Sequence, residues 1–167
     1  MIQVYTGCGK GKTTAAIGLA VRASGYGKKI FFAQFMKGKY YGEISALKKI
    51  RNITLLQCGG RCFIKSKPKS KDIKLAQEAL NKIAQLIKTG KYDVVIMDEI
   101  NVALHMGLVE VNQVLEILNT APAKTELILT GRYCPKKISD KADLVSEIKE
   151  VRHYYRRGVK ARQGIEY

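Results

Sequence analysis

No apolar run in this sequence approaches the roughly 18–20 residues that a membrane-spanning helix needs. No signal-peptide pattern precedes the first apolar stretch, Ile2-Gln3-Val4-Tyr5, so the expected location is the cytoplasm. There is no internal repeat and no tryptophan. Cysteine is sparse: Cys8, Cys58, Cys62 and Cys134, all expected to be reduced in a cytosolic chain. Cys58 and Cys62 form a C-x3-C pair, which can ligate zinc. No second pair follows, and His105 and His153 are not at ligand spacing, so the alternatives are a structural zinc and four small, partly buried thiols. Acidic residues are also short, 14 against 30 Lys and Arg, giving a net charge of +16. That excess fits a nucleic-acid partner, a polyanionic small substrate such as a nucleotide, or a lysine-rich background with no partner implied. The lysines are spread along the chain, which disfavours a dedicated nucleic-acid stripe.

What is present suits one soluble domain spanning 1–167, long enough for a proper core. Residues 2–5 form a short apolar run ending in Thr-Gly and read as a buried strand. Ala16, Ile17, Ala20 and Val21 mark a helix over 13–24, closed by Gly25 and Gly27. Residues 29–35 (KIFFAQF), 53–57, 93–97 (DVVIM) and 125–130 (TELILT) read as further strands, and 142–148 as a sixth. Ile73, Ala76, Leu80, Ile83 and Ile87 step by threes and fours, which predicts an amphipathic helix over 72–89. Shorter helices are expected over 43–50 and from Val111 to a stop before Pro122. The stretch 58–71 reads as a loop, either solvated or a flap over a site. Strands alternate with helices throughout, which predicts an α/β domain: a mostly parallel sheet of about six strands with helices on both faces.

The strongest motif is Gly7-Cys8-Gly9-Lys10-Gly11-Lys12-Thr13-Thr14, between a strand and a helix. Glycines there let backbone N–H groups turn inward around phosphate oxygens. The helix N-terminus adds a partial positive charge. Lys12 supplies a point charge for the phosphates, and the Thr13 hydroxyl is a ligand for Mg²⁺. The motif is one residue short. The first glycine of G-x-x-x-x-G-K-[ST] belongs at position 6, where Thr6 stands, and Lys10 brings a second cation to the turn. Gly7 through Thr14 are therefore the expected ATP-binding residues, with Lys12 and Lys10 acting on the triphosphate. Asp98 and Glu99 follow the apolar strand 94–97, the place for a Mg²⁺-orienting carboxylate and for a second metal ligand or base. Arg132, after Thr130-Gly131 at the end of the fifth strand, is placed to reach a phosphate from the same sheet edge.

With these residues assembled, the chain resembles the P-loop type of ATP:corrinoid adenosyltransferase of bacteria. The likeness runs over nearly the whole chain. Beyond the shortened loop it rests on the helix exit at 16–29, on Gln34-Phe35-Met36-Lys37-Gly38 followed by Gly42-Glu43, and on 93–99. It continues through Leu129-Thr130-Gly131-Arg132, 142–147 and the tail GVKARQGIEY at 158–167. The resemblance implies a RecA-like P-loop fold. It also implies a transferase in adenosylcobalamin synthesis or salvage. A reduced Co(I) corrinoid attacks C5′ of ATP and triphosphate leaves, with ATP held in the reverse sense to P-loop hydrolases. ATP, Mg²⁺ and the corrinoid are then the ligands, with Thr13 and Glu99 matching the family's Mg²⁺ positions and Asp98 beside them. A reductase for the cobalt and a homodimer are implied partners.

One segment departs from the family. Relatives often carry a Gly-Phe-Thr-Trp-like stretch whose aromatics press on the lower face of the corrin; the counterpart here is Cys62-Phe63-Ile64-Lys65. Phe63 is the expected corrinoid-contacting residue, and Lys65 cannot replace an aromatic wedge. Tyr40, Tyr41, Tyr154 and Tyr155 are either packing residues or contacts to corrin or adenine. Two rival functions share the phosphate loop: a P-loop kinase with Glu99 as base, which releases ADP, and a RecA-like ATPase stimulated by nucleic acid.

Overall fold

The computed structural model describes residues 1–38, 41–60 and 67–166. The apolar run after Lys29 becomes strand β2 (Ile30–Phe35), and all six of its side chains are buried, as a strand covered on both faces requires. Its alternate residues feed two cores. Phe31, Ala33 and Phe35 pack on one side of the sheet, Ile30 and Phe32 on the other. Strands β1 (Ile2–Thr6), β3 (Ile53–Cys58), β4 (Val94–Asp98), β5 (Glu126–Thr130) and β6 (Leu144–Glu147) join it in the order β3-β2-β4-β5-β1-β6. Every pairing is parallel. This is the α/β sheet expected from the sequence.

Helices α1 (Lys12–Gly25) and α2 (Gly42–Lys48) cover one face, through Ala16, Ala20 and Leu47. Helices α3 (Ser70–Lys88), α4 (Ile100–His105), α5 (Val111–Thr120) and α6 (Lys136–Ser139) cover the other. The α3 stripe buries Ala76, Ala79, Leu80, Ile83 and Ile87, and Asp72 accepts the Lys69 N–H at its start. Truncating a fully buried member such as Ile83 to Ala would cost about 2–5 kcal/mol. Two expected members of apolar stripes are exposed instead, Ile73 and Val21. Val21 lies about 140° round α1 from Ala16, outside its narrow buried strip. Ile73 is in the first turn of α3; periodicity fixes a helix's apolar face but not how far along it the partner extends. Short α4 and α6, and the one-turn 3-10 helix Tyr154–Arg157, carry too few residues for periodicity to show them in the sequence.

Because all six strands run parallel, their C-terminal ends share one edge. That edge collects the loops after β1, β2, β4 and β5, and there ligands of open α/β sheets bind.

Candidate active site

The phosphate loop begins where β1 stops pairing. Thr6 is still a strand residue, in register with Glu147, so the missing first glycine is absorbed into the strand. Gly7 then turns at φ +97°. A Cβ on Gly7 would sit 2.5 Å from the Ile148 carbonyl oxygen, and one on Gly9 2.8 Å from it. The Gly9 N–H donates to that same oxygen at 2.8 Å, while Ile148 N–H donates to Thr6 O at 2.8 Å. The exit of β6 thus presses on the loop and requires glycine at both positions. Lys12 opens α1 and is nearly buried, and its ammonium donates to Gly9 O at 2.6 Å. Burial, then the Arg132 guanidinium, pulls its pKa below the usual lysine value.

The two acids divide their roles. Asp98 is fully buried and saturated: its Oδ1 accepts from Thr13 Oγ1 (2.8 Å) and Thr130 Oγ1 (2.6 Å). Its Oδ2 accepts from Lys37 Nζ (3.2 Å) and Gln34 Nε2 (3.3 Å). A carboxylate so occupied acts by aiming the Thr13 hydroxyl, whose lone pairs stay available. Glu99 adopts a left-handed turn at φ +63°, pinned by its N–H donating to Thr130 Oγ1 at 3.0 Å. Its side chain faces the cavity over the loop. Burial, then the neighbouring Asp98 charge, raises its pKa above the ordinary carboxylate range. The ammonium of Lys37 stands between Asp98 and Glu43, 3.8 Å from the latter. Burial opposes its charge, but Asp98, Glu99 and Glu43 together outweigh that and raise its pKa.

The cavity holds about 820 Å³, within the roughly 300–1,000 Å³ of small-molecule sites. Gly9 through Thr14, Lys37, Glu43, Glu99 and Arg132 all line it. Arg132 is placed by Gly131, whose φ of +127° and tight packing against Asn101 and Val102 exclude a side chain. Asn101 Nδ2 donates to the Gly131 carbonyl at 3.2 Å.

The structure therefore brings Gly9, Lys10, Gly11, Lys12, Thr13, Thr14, Glu99 and Arg132 to one cavity, with Gly7 and Asp98 supporting it from behind. Cys8 is exposed on the loop. Lys10 has partners that the sequence did not show. Its ammonium donates to Glu166 Oε1 and Tyr154 Oη, each at 2.8 Å, at the rim of the cavity. That contact bridges 156 positions, which no local motif reveals. Tyr154 packs in this contact and Tyr155 is exposed. Gln34, Lys37, Glu43 and Thr130 were visible only as parts of shared motifs, without roles. Phe63, Lys65, Cys62 and Tyr40 lie outside the described residues. Cys58 is a buried thiol pushed up to about 12 by burial.

A parallel α/β sheet with a glycine-rich loop opening its first helix, and a carboxylate strand one place beyond β5, defines a P-loop nucleotide-binding protein. The family model for ATP:corrinoid adenosyltransferase BtuR/CobO/CobP matches residues 1–167. The chain is 33% identical over 167 residues to the corrinoid adenosyltransferase of Escherichia coli K12, covering 100% of this chain and 85% of that protein. It is 32% identical over 169 residues to the corrinoid adenosyltransferase of Pseudomonas aeruginosa, covering 100% and 83%. It is 32% identical over 167 residues to corrinoid adenosyltransferase CobA of Salmonella typhimurium, covering 100% and 85%. The chain belongs to the ATP:corrinoid adenosyltransferase family, and is a transferase. No helix among the described residues is long and apolar enough to cross a membrane.

Proposed function

We propose that this chain transfers the 5′-deoxyadenosyl group of ATP to the Co(I) of a reduced corrinoid, using the phosphate loop to hold the departing triphosphate. The Co–C5′ bond forms with the cobalt electron pair, the C5′–O5′ bond breaks, and triphosphate leaves with that bond's electrons. Cobalt rises formally from Co(I) to Co(III). The cobalt is the nucleophile, so the protein supplies position and charge rather than an attacking group. Loop N–H groups, Lys12 and Arg132 meet the charge that grows on the triphosphate. Consumption of Co(I) requires an electron donor upstream, in keeping with a reductase partner.

The observation that carries this reading is the Thr13–Asp98–Thr130 chain beside the Glu99 side chain that lines the cavity. It presents oxygen donors of the kind Mg²⁺ takes. Among the described residues no three His, Cys, Asp or Glu side chains are grouped to hold a metal. That suits Mg²⁺, which binds through one or two carboxylates together with substrate phosphates. Thr13 and Glu99 would hold the ion, with Asp98 orienting Thr13; the ion would supply charge neutralisation on the phosphates. Mixing the protein with Mg-ATP and chemically reduced Co(I) cobalamin should yield adenosylcobalamin and one free triphosphate per turnover. Lys12→Ala should abolish ATP binding. Release of ADP would indicate a kinase, and phosphate release stimulated by DNA or RNA an ATPase; either overturns the proposal.

A further inference from the structure

We propose that Glu166 is a positioning residue that competes with the leaving triphosphate for Lys10 and thereby speeds its departure. The inference rests on the proposed use of the phosphate loop for ATP. Gly164, Ile165 and Glu166 line the same cavity as Lys12 and Thr13, so the segment before Tyr167 lies against the cradle. Glu166 Oε1 accepts from Lys10 Nζ at 2.8 Å, from Tyr154 Oη, and from Arg162 Nη2 at 3.3 Å. Its Oε2 accepts the Arg162 backbone N–H at 2.6 Å. The Tyr154 ring is flanked by both cations, 5.6 Å from Lys10 Nζ and 4.8 Å from the Arg162 guanidinium. Lys10, then Tyr154, holds the Glu166 carboxyl far below the usual range, so it is a full anion at neutral pH.

A chain-borne anion therefore sits at the rim of a site built for anions, on a cation of the loop itself. Lys10 has 40% of its side chain accessible, and Glu166, at 17%, keeps Tyr154 and Arg162 as partners, so exchanging partners leaves neither charge buried and unpaired. Lys12 donates to Gly9 O and is in no ion pair among the described residues, so no carboxylate competes for it as Glu166 competes for Lys10. A bound triphosphate outbids one carboxylate for Lys10. Once the adenosyl group has gone, the tethered carboxylate remains at high effective concentration and reclaims the ammonium, loosening one of the product's holds.

The test measures binding of inorganic triphosphate, with Mg²⁺, to the parent, Glu166→Gln, Lys10→Gln and the double variant by titration calorimetry. Dissociation rates come from a displacement chase. Glu166→Gln should bind triphosphate about threefold to tenfold tighter through slower release, the range for losing one charge-assisted competitor. The gain should vanish in the Lys10→Gln background and shrink at high salt. A structural staple has no reason to tighten ligand binding when removed. Equal or weaker binding by Glu166→Gln, a gain that survives without Lys10, or a gain due wholly to faster association overturns the competitor role. A parent protein that does not bind triphosphate overturns the phosphate-loop reading itself.

Discussion

Thr130→Val removes one hydroxyl and almost no volume, and it tests the division of labour between the two acids. The Thr130 hydroxyl is fully buried, donates to Asp98 Oδ1 at 2.6 Å and accepts the Glu99 N–H at 3.0 Å. Losing the bond to the carboxylate costs about 1.5–3 kcal/mol, and an orphaned N–H about 1–3 kcal/mol. The two losses share one relaxation, so a net destabilisation of about 2–4 kcal/mol is expected. For a chain of this size that lowers the melting temperature by about 4–16 °C. Function should suffer separately. The Glu99 turn loses its pin and Asp98 loses a partner that sets its angle to Thr13. Removal of such an outer partner typically weakens metal affinity about 10–100-fold. The assay is a calorimetric melt without metal, followed by Mg²⁺ titration of adenosyl transfer at saturating ATP. Thr130→Ser should restore both. A Thr130→Val protein that melts with the parent and shows the parent's Mg²⁺ dependence refutes the chain from Thr130 through Asp98 to Thr13.

Three further outcomes follow from the same geometry. Gly7→Ala forces a side chain onto the Ile148 carbonyl at φ +97°, costing about 1–3 kcal/mol in backbone strain alone, and should lower both the melting temperature and ATP affinity; calorimetry reads both. Glu99 has a raised pKa in the folded chain, through burial and then Asp98. The folded state thus holds the proton more tightly than the unfolded state, and metal-free stability falls as pH rises from the ordinary carboxylate pKa through the raised one. In chelator, Glu99→Gln should therefore be more stable than the parent at pH 8, with the gap closing in acid; urea melts across pH would contradict this by showing a constant gap. Cys8 is exposed on the loop, whereas burial pushes Cys58 up to about 12 and Cys134 up to about 11. Peptide mapping after brief thiol alkylation at pH 8 should find Cys8 modified before Cys58 and Cys134 and shielded by Mg-ATP, with Cys58 reacting only after denaturation.

The sheet was legible because fully covered parallel strands read as nearly continuous apolar runs, such as 30–33 and 94–97. The loop was legible because glycine spacing at a strand-to-helix junction has few other uses. Contacts between distant segments were not. Lys37 reaches Asp98 across 61 positions and Lys10 reaches Glu166 across 156, and neither leaves a local periodicity. In the sequence Lys10 is one of 30 basic residues, and only the fold shows that a carboxylate has already claimed it. Net charge likewise overstated the free cations of the site: Lys10 and Lys37 are paired with acids.

Asp98 and Glu99 are adjacent and chemically alike, and the sequence allowed either to be the metal ligand. Strand geometry separates them. Asp98 is the last residue of β4, so the pleat fixes its direction into the sheet's end, where Thr130 of β5, Gln34 of β2 and Thr13 of α1 converge. There it is saturated, and replacing it should disturb Thr13 before it disturbs any ion. Glu99 escapes the pleat by a left-handed turn that a residue with a Cβ adopts only at some cost. The Thr130 hydroxyl holds that turn, and the result is a carboxylate released from the ladder and facing the cavity over the phosphate loop, where burial and Asp98 work against its charge and Lys37, Lys12 and Arg132 favour it. A half-buried anion next to a second carboxylate is costly without a ligand and is relieved by a further cation. On the proposed function, the same cost that weakens the metal-free fold would favour Mg²⁺ at the place where the leaving group's charge appears.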